Sequence, residues 1–217
     1  MPPALPCARP ARLVLDGRYA RLEPLAAAHV ADLYEASAAP GAERRFAYLF
    51  DQPPAALADM AAWIAKMTAG DDPLFSAVLD KAGGRAAGRQ ALMRITPEHG
   101  VIEIGHILWG PAIARTRVAT EALFLAARHV FDDLGYRRFE WKCNNLNEPS
   151  KAAALRFGFS FEGVFRQHMW GKGANRDTAW FSMLDSEWPG LKREYERWLD
   201  PANFDAAGRQ KSRLQTL

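Results

Sequence analysis

Four residues in the middle of this chain have the types and spacing of an anion site: Ala114, Arg115, Thr116 and Arg117 form a short basic turn. The helical segment that follows carries no acidic residue before Glu121, so its free backbone N–H groups and positive dipole end can face an anion. Such a helix start suits a phosphate group, and neighbouring arginines add charge-assisted hydrogen bonds. The turn therefore predicts a phosphate site. On these residues alone, a plain strand–helix connection with solvated arginines is an equally good interpretation.

Periodicity predicts the two elements that hold this turn. Residues 101–109 alternate, are rich in β-branched side chains and lie between Gly100 and the pair Gly110-Pro111, a pattern typical of a strand. From Val118 onward, apolar residues occupy most of a helical surface, which predicts a largely buried helix.

Periodicity and turn residues divide the rest of the chain into further elements. Two short β segments within 12–25 precede a helix at 26–37, a loop or short helix at 42–52 and a helix at 53–69. Strands are predicted at 75–79, 86–95, 138–143, 159–167 and 179–184, and helices at 147–157 and 186–198. We expect one domain over residues 12–200, with a flexible N-terminal segment, 1–11, and a flexible C-terminal tail, 201–217.

Composition narrows the class of protein. With 217 residues, of which 49% are hydrophobic, the chain can bury one sizeable core and is globular. The net charge of +3 comes from basic residues interleaved with acidic ones, which argues against a nucleic-acid partner. Two distant cysteines fit neither a metal cluster nor a disulfide framework, so no metal is expected. No apolar run reaches membrane-spanning length and the first residues lack the core of a secretion signal, so we expect a cytoplasmic protein without membrane contact.

Four segments, in this order, resemble the GNAT acetyltransferases. They are EIGHILWGP in the central strand, VATEAL after the basic turn, NNLNEPSKAAALRFGF in the later helix and strand, and the pair FEGVFRQH and KGANRDTAWFSML. The last pair resembles the branch that includes the ribosomal-protein N-terminal acetyltransferases (RimJ/RimL-like). The resemblance covers residues 13–188 and implies the GNAT fold, an α/β (α+β) protein with a mixed, mostly antiparallel central sheet flanked by helices.

The resemblance implies that acetyl-CoA is the co-substrate and that the basic turn holds its pyrophosphate. The family pattern is Gln/Arg-x-x-Gly-x-Gly/Ala, whereas this chain has Ala114 first, Arg117 in place of the central glycine and the small residue Ala119 last. Glycine lets a phosphate approach the backbone closely, so Arg117 leaves two alternatives. Either Arg115 and Arg117 supply guanidinium–phosphate pairs instead, which we favour, or the altered loop binds coenzyme A weakly or not at all. The implied cofactor contacts are Ile107, Leu108, Trp109, Arg115, Thr116, Arg117, Val118, Ala119, Thr120, Asn147 and Ser150.

The family chemistry is direct attack of an amine on the acetyl-CoA thioester in a ternary complex. The amine must lose a proton, and Glu103 matches the position of a frequent family base that acts through water. A strand carboxylate that is simply paired with a cation is an equal alternative. His106 is a second candidate base, although the period of two directs it to the face opposite Glu103 unless a bulge intervenes. A backbone N–H within 107–109 is expected to hold the thioester oxygen.

The leaving thiolate needs a hydrogen-bond donor. Many relatives use a tyrosine seven residues after the motif asparagine, which is Asn147 here, but that position is Ala154. Ser150 resembles the replacement used in the ribosomal-protein branch. We favour this catalytic role over a helix-start hydroxyl that only satisfies backbone donors. Asn147 is expected to cap its helix and to contact the pantetheine arm.

The acceptor is expected against residues 44–50 and the late hairpin, where Arg45, Phe46, Tyr48 and Trp170 mix cationic and aromatic character. A solvated loop pinned by its aromatics is an equal interpretation. The implied acceptor is a protein N-terminus or a small-molecule amine. The alternatives are an acetyltransferase of the antibiotic- or polyamine-modifying kind and a non-catalytic acyl-CoA-binding regulatory protein. A homodimer is compatible with the aromatic residues of the hairpin.

Overall fold

An eight-stranded sheet runs through the computed structural model, which describes residues 4–216. The strands are β1 (Leu15–Asp16), β2 (Ala20–Pro24), β3 (Leu74–Asp80), β4 (Arg85–Thr96), β5 (Val101–Trp109), β6 (Arg138–Asn144), β7 (Ser160–Gly171) and β8 (Ala174–Leu184). Their order is β1-β2-β3-β4-β5-β6-β8-β7, and all neighbours are antiparallel except β5 and β6. The predicted fold class, a mixed and mostly antiparallel sheet flanked by helices, is confirmed.

The described residues form six α-helices around this sheet. They are α1 (Val30–Ala38), α2 (Ala42–Phe46), α3 (Leu57–Thr68), α4 (Arg117–Arg128), α5 (Glu148–Arg156) and α6 (Trp188–Leu199). The main hydrophobic core contains the apolar faces of α4 and α6, and a smaller core contains those of α1 and α3. The consecutive β3 residues Ala77 and Val78 belong to different cores, as the alternation of side chains across a strand requires.

Two elements extend beyond their predicted bounds. The strand predicted at 159–167 continues as β7 to Gly171 and pairs with β8 from Ala174 onward, so the two form a long hairpin. Polar residues dominate the end of this hairpin and hide its strand periodicity. Of the segment 42–52, only the first five residues are helical.

The parallel contact between β5 and β6 is short. It joins Val101–Ile104 to Arg138–Trp141, and beyond these pairs β5 continues beside β4 alone. The second half of β5 therefore has one edge without a neighbouring strand. Backbone N–H and C=O groups on such an edge are available to a ligand.

A β-bulge at His106 changes the direction of that side chain. Arg89 pairs with Leu108 and Ala91 with Gly105, so β5 carries one extra residue, and His106 has a left-handed φ of +51°. Its ring lies 5.1 Å from the ring of Phe75 in the smaller core. The alternation rule was therefore wrong for His106, because the bulge puts it on the same face as Glu103.

The terminal segments make specific contacts. The Cys7 backbone N–H donates to Pro97 O at 3.0 Å, and beyond α6 the buried Asn203 amide donates to Trp198 O at 2.9 Å. The Thr216 hydroxyl donates to Arg156 O at 2.9 Å. These contacts argue against a loose C-terminal tail, while the division into one domain and two terminal segments stays a prediction. Residues 1–3 and 217 of those segments lie outside the described residues.

Among residues 4–216, no helix is both long and apolar enough to span a bilayer.

A buried carboxylate ties the start of α4 to the β1–β2 hairpin. Glu121 is 5% exposed and accepts the backbone N–H groups of Arg18, Tyr19 and Ala20 at 2.9, 2.5 and 2.6 Å. A Cβ on Gly17 would lie 2.6 Å from the Glu121 carboxyl carbon, so only glycine allows the hairpin to wrap this group. Hydrogen bonds to a buried charged acceptor are among the stronger ones in proteins.

We expect Glu121→Gln to lower the free energy of unfolding by about 3 kcal/mol, because one carboxylate oxygen becomes an NH₂ group that faces backbone donors. Denaturant unfolding followed by circular dichroism measures this loss. Glu196→Gln on the exposed surface of α6 is the matched control and should change stability by less than about 0.5 kcal/mol. Equal effects of the two substitutions would contradict the anchoring role.

Candidate active site

A cleft of about 930 Å³ opens where β5 and β6 separate. Its walls come from the second half of β5, the basic turn, α5, β6–β8, the segment before α3 and the C-terminal segment. Clefts of this size with converging polar groups are the usual form of small-molecule sites. The predicted site residues that line it are Arg45, Tyr48, Glu103, His106, Ile107, Leu108, Trp109, Arg115, Thr116, Arg117, Ala119, Thr120, Asn147 and Ser150.

Three predicted contacts lie outside this cleft. Val118 is buried in the main core, and Phe46 is 2% exposed and borders a separate pocket of about 270 Å³ beside Trp63. Trp170 is 74% exposed on β7. These three residues were predicted because they are close in sequence to residues that line the cleft. Their neighbours on the same element do line it.

Arg45 borders the cleft, but its guanidinium has a structural task. It donates to Pro40 O at 2.8 Å and also to Ala39 O, just beyond the end of α1. Carbonyl groups at a helix end need such donors. The geometry therefore does not support a substrate contact through the charged group of Arg45.

Thr116 is the N-cap of α4. Its hydroxyl accepts the Val118 N–H at 3.2 Å and donates to Ile113 O at 2.7 Å, while Arg115 takes a left-handed φ of +63°. The backbone thus turns sharply before the helix begins. No acidic side chain lies in the first turn of α4, so the positive end of the helix dipole faces the cleft uncompensated.

Aromatic rings fix the position of Arg117, which stands where the family pattern has glycine. Its guanidinium carbon lies 4.4 Å from the ring centre of Tyr19 and 5.3 Å from that of Phe204. Such cation–π contacts hold a charged group without neutralising it. The interpretation of these arginines as merely solvated therefore fails for Arg117.

Arg156 adds a second fixed cation that the sequence analysis missed. It projects from the end of α5 into the cleft, donates to the Thr120 hydroxyl at 3.2 Å and lies 5.1 and 5.2 Å from the rings of Phe157 and Trp198. No carboxylate of residues 4–216 forms an ion pair with it, and burial lowers its pKa. A guanidinium without a carboxylate partner, held beside the first turn of α4, is a candidate anion site.

Ser150 lies at the middle of the cleft with an oriented hydroxyl. The Trp141 indole N–H donates to its Oγ at 3.0 Å, and the Asn147 side chain caps α5 by accepting the Ser150 backbone N–H at 3.2 Å. An indole N–H can only donate, so Ser150 Oγ is the acceptor and its own proton points away from the indole. Cys143 is the nearby thiol, and burial raises its pKa.

Charges of alternating sign, buried at the centre and exposed at both ends, cross the sheet on one side of the cleft. We call this chain the charge ladder; in order, it consists of Arg94, Glu103, Lys142, Glu140, Arg138 and Glu162. Glu103 and Glu140 are register partners on the parallel strands. Lys142 Nζ lies 3.0 Å from Glu103 Oε2 and 2.7 Å from Glu140 Oε2, and thereby separates two carboxylates that would otherwise repel each other.

The pKa values of the two candidate bases are shifted in opposite directions. Burial raises the pKa of Glu103, although Lys142 and Arg94 oppose this shift. Burial and the nearby Arg89 guanidinium lower the pKa of His106, so its imidazole is neutral at pH 7. Both cations contact Glu103 Oε2, and no hydrogen bond within residues 4–216 reaches Oε1.

A buried ion pair anchors the segment before α3, part of which lines the cleft. Arg89 is 2% exposed, pairs with Asp51 Oδ2 at 2.7 Å and lies 4.0 Å from the ring centre of Trp63. Phe50 in that segment lies 5.0 Å from the guanidinium carbon of Arg176 on β8.

Sequence reasoning missed Lys142 and Arg176. The spacing of two between Glu140 and Lys142 was the available signal that these two side chains face the same side of the sheet.

Comparisons with known proteins point to one family. The sequence model described as acetyltransferase (GNAT) domain matches residues 20–160. The chain is similar to a GCN5-related N-acetyltransferase from Brucella melitensis, with 60% identity, a TM-score of 0.96 and coverage of 97% of this chain and 96% of that chain. It is also similar to a probable acetyltransferase (GNAT family) from Chromobacterium violaceum ATCC 12472, with 40% identity, a TM-score of 0.78 and coverage of 84% and 91%.

A RimL ribosomal-protein α-N-acetyltransferase shares the fold at 18% identity, with a TM-score of 0.68 and coverage of 79% of this chain and 94% of that chain. Identity this low carries no information on the acceptor. A search of curated proteins gives no significant match.

We expect Lys142→Met to lower the free energy of unfolding by about 3–5 kcal/mol at pH 8, because it leaves Glu103 and Glu140 side by side without a buried cation. The pKa of Glu103 is already raised and should rise further. Protonation then relieves the repulsion, so the loss is largest above the raised pKa and shrinks as the pH falls toward 5.

Denaturant unfolding at several pH values tests this. Lys192→Met, which breaks an exposed pair with Asp132, should cost at most about 1 kcal/mol. Adding Glu140→Gln to Lys142→Met should recover part of the stability. A loss that does not depend on pH, or that the second substitution fails to reduce, would refute the bridging role.

Proposed function

The chain belongs to the GNAT acetyltransferase family, and from that premise we propose that it transfers an acetyl group from acetyl-CoA to a primary amine by direct attack in a ternary complex. The observation that carries the proposal is the Ser150 hydroxyl, which lines the cleft and which the Trp141 indole orients by donating to its Oγ. The same cleft is lined by the fixed cations Arg117 and Arg156 and by the two candidate bases, Glu103 and His106.

The cationic side of the cleft fits the phosphates of coenzyme A. Arg156 supplies an unpaired guanidinium, Arg117 a second one held by aromatic rings, and α4 its uncompensated N-terminus. These groups offset the missing glycine, because guanidinium groups bind phosphate with more than one hydrogen bond each. Acetyl-CoA supplies an activated acyl thioester. The free edge of β5 at residues 107–109 would donate a backbone N–H to the acyl oxygen.

Proton transfer balances the reaction. The amine nitrogen forms a bond to the acetyl carbon while the carbon–sulfur bond breaks, so the amine loses one proton and the sulfur gains one. We assign the first proton to Glu103 Oε1, reached through water, because the raised pKa of Glu103 makes it a better base than an ordinary carboxylate. His106 is the alternative, since its imidazole is neutral. Ser150 donates a hydrogen bond to the leaving sulfur, which departs as a thiolate; it then takes a proton from solvent, to which the base releases the proton taken from the amine.

This proposal specifies the acceptor only as a primary amine, either a protein N-terminus or a small molecule. An amine screen separates them: release of CoA is followed with short peptides, free amino acids, polyamines and aminoglycosides as acceptors. Turnover of the peptides alone would favour a protein substrate. No turnover on any amine, despite tight acetyl-CoA binding, would refute the proposal in favour of a non-catalytic acyl-CoA-binding protein.

We expect acetyl-CoA to bind with a micromolar Kd, and Arg156→Met to weaken binding about tenfold, the value of one charge-assisted contact. Isothermal titration calorimetry with acetyl-CoA and CoA measures both. Arg193→Met on the exposed side of α6 is the control and should leave Kd unchanged. Absence of binding by the unaltered protein would show that the changed turn has lost the cofactor.

We expect Ser150→Ala to lower kcat about 10- to 100-fold while the Kd for acetyl-CoA changes less than about twofold, because the contact strengthens as the sulfur becomes negative. Ser160→Ala at the exposed start of β7 serves as the matched control. An unchanged kcat would mean that the Ser150 hydroxyl only completes the start of α5.

A further inference from the structure

Arg176 is a cation on the acceptor side of the cleft that no carboxylate of the charge ladder neutralises. The ladder contains three cations and three carboxylates, joined in alternating order. Its charges therefore cancel. Arg176 forms no ion pair with any carboxylate of residues 4–216 and adds a net positive charge to that wall.

The position of Arg176 on β8 directs it toward the acceptor side. Arg176, Thr178 and Trp180 alternate with Ala179 and Phe181, which face the main core, so the first three share the face of the charge ladder. Lys142 of the ladder lies 3.7 Å from the ring centre of Trp180 on this face. The phosphate-binding cations belong to α4 and α5, at the other end of the cleft.

The guanidinium of Arg176 is held in place but keeps free donors. Its Nε donates to the Thr178 hydroxyl at 3.3 Å, and Phe50 packs 5.0 Å from its central carbon. Neither Nη group forms a hydrogen bond within the described residues. The side chain is half-buried, and burial lowers its pKa. Keeping such a charge without a partner is unfavourable, so a ligand that supplies the partner is bound more tightly.

We propose that Arg176 binds a carboxylate of the acceptor, so that the substrate is an amine whose molecule also carries a carboxylate, such as an amino acid or an acidic peptide. This rests on the proposed acetyl transfer to amines. A planar guanidinium matches the two oxygens of a carboxylate. One unpaired positive charge is balanced by a single negative charge, whereas a doubly charged phosphate would leave an excess beside Glu103. Polyamines and aminoglycosides would instead meet an uncompensated cation.

Matched pairs of acceptors test the charge requirement. The first pair is an amino acid and its carboxamide, and the second is a dipeptide that begins with aspartate and one that begins with asparagine. We expect kcat/KM to favour the carboxylate member of at least one pair about tenfold or more. Arg176→Gln should reduce that preference to about twofold or less and leave the Kd for acetyl-CoA unchanged. Arg166→Gln on exposed β7 should retain the preference.

Equilibrium binding separates this inference from the proposed function. Calorimetry with the same pairs, on protein saturated with CoA, should show tighter binding of the carboxylate member to the unaltered protein and loss of that difference in Arg176→Gln. Binding preference without turnover would refute the acetyl transfer and leave the carboxylate site standing. Turnover with equal values for both members, or a preference that survives in Arg176→Gln, would overturn the carboxylate site.

Discussion

The short parallel contact between β5 and β6 is the constraint on which the cleft depends. Pairing ends after Ile104 and Trp141, and at that point the register sets Glu103 beside Glu140. Two buried carboxylates on neighbouring strands would repel each other and separate the strands earlier. Lys142 contacts both, so the parallel pairs hold up to this point and the strands diverge beyond it. The same bridge gives Glu103 its position at the mouth of the cleft.

The net charge along the cleft depends on which of its cations pair with a carboxylate. In the middle of the cleft, each arginine and lysine of the charge ladder pairs with a carboxylate. Glu103 Oε1 is left as the open acceptor. At the ends, Arg156 and Arg176 have no carboxylate partner among residues 4–216. A cleft of this kind attracts an anion at each end and accepts a proton between them. That arrangement suits a phosphorylated cofactor at one end and an acceptor that combines amine and carboxylate at the other.

Local pattern predicted the sheet, its helices and the turn before α4, because each depends on nearby residues. It failed where distant segments decide the outcome. The bulge at His106 follows from pairing with β4, and the period of two cannot reveal it. Arg156 is held in place by the ring of Trp198 on the distant helix α6, and Arg45 looks like a substrate contact until its hydrogen bonds to the carbonyls beyond α1 are seen. A sequence shows the charge and type of each residue, but it does not show whether a charged side chain has a pairing partner in the folded protein.

The two departures from the family pattern make sense when each is considered with its neighbours. Without a tyrosine, the proposed thiolate donor is the short hydroxyl of Ser150, which would be free to rotate toward backbone acceptors of α5. Trp141 prevents this by donating to Oγ, so the hydroxyl proton points away from the indole. In the turn, Arg117 occupies the place of a glycine, but Tyr19 and Phe204 draw its side chain aside. Neither substitution would serve the reaction alone, since each depends on an aromatic side chain from another element to set its direction.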